Sequence, residues 1–253
     1  MRAFLLSLAL LLSVLPLGGH AQSRLPGLTE GVEYNTIDGG QPYRQLPPGM
    51  VEVAEVFAYT CPHCAHMAPM IDDWSRTLPA YARVVYVPGV FGRDDAWARA
   101  YFAEESSKTI PLLHRRLFTA IHETGDLPRN ADVNQITQYA SKVPGVNAAA
   151  FSAAIRNDAV LLPKLKLAYE FSQRSGVEGT PSLIIAGRYM ILGNSYENLL
   201  ENAGKVIRAL APRRVTAPAT PAAPARPSKP RSLSHHVIPS SDSHQVIPPR
   251  KVR

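Results

Sequence analysis

Residues 51–64 read VEVAEVFAYTCPHC, an apolar run dense in valine and aromatics that ends in a C-x-x-C pair. Pro47, Pro48 and Gly49 bound the run, so Val51 to Tyr59 is predicted to be a buried strand at the centre of a sheet. Beyond Thr60 the spacing lengthens: Met67, Met70, Ile71, Trp74 and Leu78 recur at helical intervals and Pro79 stops them. Arg83 to Val87 (RVVYV) is a second buried strand, closed by Pro88 and Gly89. Strand, helix, strand is therefore the expected frame. The cysteines stand at its first strand-to-helix junction, where α/β sheets present ligands and reactive groups.

Working outward, Leu25 to Gly49 is rich in Gly and Pro and holds one short strand candidate, Val32 to Ile37. From Asp94 to Ser175 the pattern is helical, with apolar stripes at Trp97, Tyr101 and Phe102, at Leu112, Leu113, Leu117, Phe118 and Ile121, at Val133, Ile136 and Tyr139, and at Leu161, Leu165, Tyr169 and Phe171. Breaks are expected at Gly125 to Pro128, at Pro144 to Gly145 and at Pro163. Strand character returns at Ser182 to Ala186 and Tyr189 to Leu192 around a tight turn at Gly187. A last helix opens with the capping pattern Asn194 and Glu197 and runs to about Leu210.

Both ends differ from this middle. Arg2 precedes an apolar run from Ala3 to Leu17, and Gly19 and Ala21 occupy the positions read by a signal peptidase cutting after Ala21. The run is about 15 residues, short of the ~20 that span a bilayer, so residues 1–21 are expected to be a cleaved export signal and the mature chain soluble. Residues 212–253 hold nine of the 23 prolines. Their eight basic residues against Asp242 alone carry the whole formal charge of +7. Residues 1–211 are neutral overall, so no nucleic-acid groove is indicated, and the tail is expected to be disordered and partly polyproline II. Within it, Ser234 to Pro239 and Ser243 to Pro248 repeat weakly, and His235, His236 and His244 form a surface histidine group. Adsorption of this basic tail to anionic envelope surfaces is one reading of it.

Two cysteines in the whole chain cannot build a disulfide scaffold or a four-thiolate metal centre. Haem attachment requires histidine after the second cysteine, and Ala65 stands there. A site made of Cys61, His63, Cys64 and His66 has suitable donor atoms, but a strand-to-helix turn splays them. An inert staple is disfavoured because closing so small a ring removes little entropy from the unfolded chain. Redox exchange fits best. At a helix start the unpartnered N–H groups and the peptide dipoles favour a thiolate, so Cys61 is expected to be the acidic nucleophile and Cys64, on the first turn, the resolving thiol. Pro62 suits the first helical position, and a cationic His63 would add positive charge beside the sulfur. Strand parity places Glu55 with Val51, Val53, Phe57 and Tyr59 and opposite Glu52, which marks Glu55 as the carboxylate to be buried.

With C-P-H-C at a strand-helix junction, a helical insertion and Gly179-Thr180-Pro181 before the final hairpin, the chain resembles the exported DsbA-type thiol:disulfide oxidoreductases of the thioredoxin superfamily. The resemblance covers about Gly31 to Leu210. It implies an α/β thioredoxin-like fold, first part 22–93 and second part 176–211, interrupted by a helical domain at 94–175. It also implies a cis bond at Thr180-Pro181 facing the cysteines, where an extended substrate pairs with the Thr180 backbone, and a buried acid at Glu55 that exchanges protons with a thiol. Expected partners are reduced or unfolded exported proteins and, for reoxidation, a quinone-linked membrane oxidase of DsbB type. A monomer in the periplasm without metal or cofactor is expected. Many oxidases of the family carry Val where this chain has Thr180, and Thr is common among the isomerases, which leaves the redox tuning open. The isomerases also carry a dimerisation domain, for which Gln22 to Met50 leaves no room. A reductase, an isomerase and a non-enzymatic binding protein are the alternatives.

Overall fold

The computed structural model describes residues 24–212; the export-signal and tail readings lie outside them. The predicted central strand forms as β2 (Val51–Phe57), with every residue buried. It follows β1 (Tyr34–Thr36), the core of the Val32 to Ile37 candidate, and leads into α1 (Pro62–Ser75) and β3 (Ala82–Pro88). Five helices come next: α2 (Ala96–Ser107), α3 (Ile110–His122), α4 (Val133–Ser141), α5 (Ala148–Ile155) and α6 (Asp158–Arg174). The chain closes with β4 (Ser182–Ile185), β5 (Tyr189–Ile191) and α7 (Tyr196–Ala209).

The strands make one sheet in the order β1-β5-β4-β2-β3. β2 is paired on both edges, parallel to β3 across the α1 crossover and antiparallel to β4. That double pairing explains its continuous apolar sequence, since a central strand presents both faces to packed neighbours. Val51 and Val53 join Met67 and Ile71 of α1 and Leu200, Ala203 and Val206 of α7 in one cluster. Ala54 and Val56 join a second cluster with Trp97, Phe102, Leu113, Leu117, Ile136, Phe151 and Phe171 from the inserted helices. Phe57 departs from the alternation. Its ring meets Tyr59, Tyr101 and His114 edge-on and ties the end of β2 to α2 and α3.

Three boundaries differ from those expected. Pro163 lies inside α6, just as Pro69 lies inside α1, and the break falls instead at Asn157, the cap of α6. α5 carries only two large apolar side chains, Phe151 and Ile155, one helical turn apart, and its alanines hid the stripe. Ser195, rather than Asn194, caps α7: its hydroxyl accepts from the Asn198 N–H at 3.1 Å, while the Asn198 side chain accepts from Asn194 N at 3.3 Å. The Gly187 turn is as expected, and the glycine is required. Its φ is +65°, and a Cβ there would lie 2.0 Å from the Gln41 backbone.

Candidate active site

β2 ends at Phe57, and the chain passes through Ala58, Tyr59 and Thr60 before Cys61 becomes the N-cap of α1 in an extended conformation. Pro62 fills the first helical position, where its missing N–H costs no hydrogen bond. The Cys61 side chain makes no capping hydrogen bond, so no side-chain oxygen of the cap residue satisfies the first N–H groups of α1. Cys64 falls on the first turn with its side chain turned inward, 0% exposed, while Cys61 is half-buried at the surface.

The Thr180-Pro181 peptide is cis and immediately precedes β4, whose Ser182 is registered against Val56 at the end of β2. This pairing carries Thr180 to the cysteines: the Cys61 thiol donates to the Thr180 carbonyl oxygen at 3.1 Å. That contact alone would favour the protonated sulfur, and partial burial does too. The Thr180 side chain and the N–H groups of Cys64 and His63 stabilise the anion more strongly, so the Cys61 thiol ionises below the ordinary cysteine range. Cys64 is driven the opposite way. Burial, and after it the charge of Cys61, pushes its thiol far up, against hydrogen bonds from Ala58 and Thr180.

His63 Nδ1 lies 2.8 Å from the Tyr196 hydroxyl, and the Tyr196 ring also tilts against His66 at 5.1 Å between centroids. Tyr196 is a site residue that sequence reasoning missed. It begins α7, and no local pattern connects that helix start with the one at Cys61.

Glu55 is buried at 2% exposure, with Oε2 unpartnered, and burial together with the nearby Asp72 charge raises its carboxyl to about 8. Its parallel register partner is Tyr86, which donates to Asp72 Oδ1 at 3.1 Å. Glu52 is equally buried at 2%, contrary to the parity reading. Its carboxylate is satisfied by the N–H groups of Tyr43 at 2.8 Å and Arg44 at 2.6 Å from the segment that folds over that face. Parity sorted the two faces correctly; it could not show that both are covered. Among the described residues, no group of three or more His, Cys, Asp and Glu side chains is placed to hold a metal ion.

Two thiols of opposite acidity within one helical turn suit the exchange of disulfides, and the mixed sheet beneath them, with its helical insertion, is that of the thioredoxin-fold oxidoreductases. The Thioredoxin family model matches residues 47–202. The thiol:disulfide interchange protein DsbA of Bordetella parapertussis is 32% identical over 164 residues, covering 63% of this chain and 77% of that one. That of Pseudomonas aeruginosa is 31% identical over 169 residues, covering 64% and 74%. The crystal structure of the oxidoreductase DsbA from Xylella fastidiosa superposes with a TM-score of 0.66 at 30% identity, over 72% of this chain and 96% of that one. The chain belongs to the DsbA family of the thioredoxin superfamily and is a thiol:disulfide oxidoreductase of the oxidase type.

Proposed function

We propose that Cys61 is the nucleophilic cysteine and that the oxidised Cys61-Cys64 pair is passed to reduced exported proteins in two exchanges. A substrate thiolate attacks the Cys61 sulfur, the bond to Cys64 breaks, and a mixed disulfide joins substrate to Cys61. A second substrate thiolate then attacks the substrate sulfur of that bond. Cys61 leaves as a thiolate, the substrate is oxidised by two electrons, and the enzyme pair is reduced. The observation that carries this reading is the placement of Cys61 at the α1 cap against Thr180, where its anion is stabilised. A stabilised leaving thiolate makes the second exchange fast and the disulfide strongly oxidising.

The same reading assigns the remaining roles. Cys64 leaves the first exchange as a poor thiolate, and Glu55, a neutral acid below about pH 8, serves as its proton source, the role that the family resemblance gives this position. The open edge of the Thr180-Pro181 loop receives an extended substrate segment, and His63 and Pro62 shape the positive end of α1. Within 22–211 the inserted helices 94–175 form the layer that closes over the thioredoxin-like parts. The protein acts in the periplasm as a monomer and is reoxidised by a quinone-linked membrane oxidase of DsbB type. The apolar run of residues 3–17 after Arg2, with Gly19 and Ala21 beyond it, supports this placement. The deciding experiment is the redox equilibrium of the pair against glutathione. A strongly oxidising value is expected, and a value near that of thioredoxin would make the protein a reductase.

A further inference from the structure

Tyr59, between β2 and Cys61, lies in a buried polar network that disulfide exchange itself does not use. Its hydroxyl donates to Glu104 Oε1 of α2 at 2.6 Å and lies 2.7 Å from Nδ1 of His114 on α3. Its carbonyl oxygen accepts from His122 Nε2, also on α3, at 2.7 Å. Tyr59, Glu104 and His114 are 1%, 0% and 5% exposed, and Glu104 Oε2 has no partner. Burial holds Glu104 as the neutral acid, and burial, with Arg115 beside it, holds His114 as the neutral base. With both neighbours neutral, the Tyr59 hydroxyl can donate to one and accept from the other, so a single chain of hydrogen bonds links Glu104, Tyr59 and His114.

Such a network is an expensive way to fill a core. Apolar groups of the same shape would pack there at no loss, whereas an unpaired carboxyl oxygen carries a desolvation cost. What polar groups supply and apolar ones do not is direction. Here the direction is imposed on a single residue, held by its side chain from two helices and by its carbonyl from one, two positions before Cys61. Cys61 N–H donates to the Ala58 carbonyl at 3.1 Å, so a shift at Tyr59 passes directly into that turn.

We propose that Glu104 and His114, acting through the Tyr59 side chain, and His122, acting on its carbonyl, are positioning residues that hold the Tyr59-Thr60-Cys61 turn in register with the start of α1. The inserted helices thereby set how well that helix start receives the Cys61 sulfur as an anion. This rests on the oxidase reading of Cys61.

The test is the glutathione equilibrium constant and the ultraviolet titration of Cys61 in the full-length protein, with thermal unfolding in parallel. The triple variant Tyr59→Phe, Glu104→Leu, His114→Phe replaces the network with apolar groups of similar shape. It is expected to unfold no more easily than the wild type, to ionise Cys61 less readily, and to shift the equilibrium constant at least tenfold toward the reductant side, about 30 mV. Glu104→Gln keeps the acceptor and is expected to remain within twofold. Should the triple variant not fold, His122→Leu removes only the carbonyl anchor and is expected to shift the constant in the same direction. An equilibrium constant and a Cys61 titration unchanged in the triple variant, or in His122→Leu if that variant alone folds, would overturn the proposal and leave the network as filling. A wild-type constant near that of thioredoxin would instead sink the oxidase reading, while the ratio of variant to wild type still reports the anchoring.

Discussion

The sulfur of Cys61 lies 3.1 Å from the carbonyl oxygen of Thr180, 119 positions further along the chain. Two segments separated by a complete helical layer thus meet at one bond. The pairing of β2 with β4 brings them there, and each acts on the other: Thr180 helps set the acidity of the thiol, and the thiol marks the end of the loop that faces it.

The two cysteines are expected to separate on substitution. Cys61→Ser removes the attacked sulfur and should abolish oxidative refolding of a reduced substrate protein. Cys64→Ser keeps the acidic thiol without its resolving partner, so incubation with glutathione disulfide should leave a stable adduct on Cys61, visible as added mass. Full refolding activity in Cys61→Ser would reassign the nucleophile.

Thr180→Val removes a hydroxyl that stabilises the Cys61 anion and retains the shape of the side chain. A hydrogen bond to a charged group contributes about 1.5–3 kcal/mol when well shielded, and this half-exposed site should give less. Cys61 is therefore expected to titrate at higher pH, with the disulfide correspondingly less oxidising. Thiolate absorbance against pH measures it.

Glu55 gives a dependence of stability on pH. Its folded carboxyl, at about 8, binds a proton that the unfolded chain releases near the ordinary glutamate value of 4.5. The folded state therefore holds more protons across that window, and this contribution to stability falls as pH rises from about 4.5 to about 8, then levels off. Glu55→Gln should be more stable than the wild type, by a margin that grows through the same window. Each unit of displacement corresponds to about 1.4 kcal/mol, so a gain of a few kcal/mol is expected by pH 8. Denaturant unfolding at pH 5 and pH 8 tests it, and a margin equal at both values would mean that the carboxyl is ionised in the fold.

Phe57 is 1% exposed and joins the sheet to α2 and α3 through its ring contacts. Phe57→Ala should cost about 3–5 kcal/mol, lowering the denaturant midpoint, because the surrounding aromatic rings cannot collapse into the space. Phe57→Leu should cost markedly less.

Much of this was legible from residue order alone because it depends on neighbours in sequence. An apolar run followed by a change of period gave β2 and α1, and C-P-H-C at the junction placed one thiol at the cap and the other on the first turn. Thr180 and Pro181 were reached only through the resemblance, since nothing local reports a cis bond. Glu104 did leave a trace, an acid at helical spacing from Trp97 and Tyr101. Reading it needs a partner, and Tyr59 is 45 residues away.

The order of the amino acids by itself determined where the chain turns from strand to helix, and so which sulfur sits at a helix start, because periodicity, capping and dipole are properties of adjacent residues. Tertiary structure alone decided which groups surround that sulfur and which carboxyls lose water: Thr180 over Cys61, Tyr196 on His63, and both Glu52 and Glu55 covered. Those outcomes depend on surfaces brought together by sheet pairing and helix packing, and no segment contains both sides of such a contact.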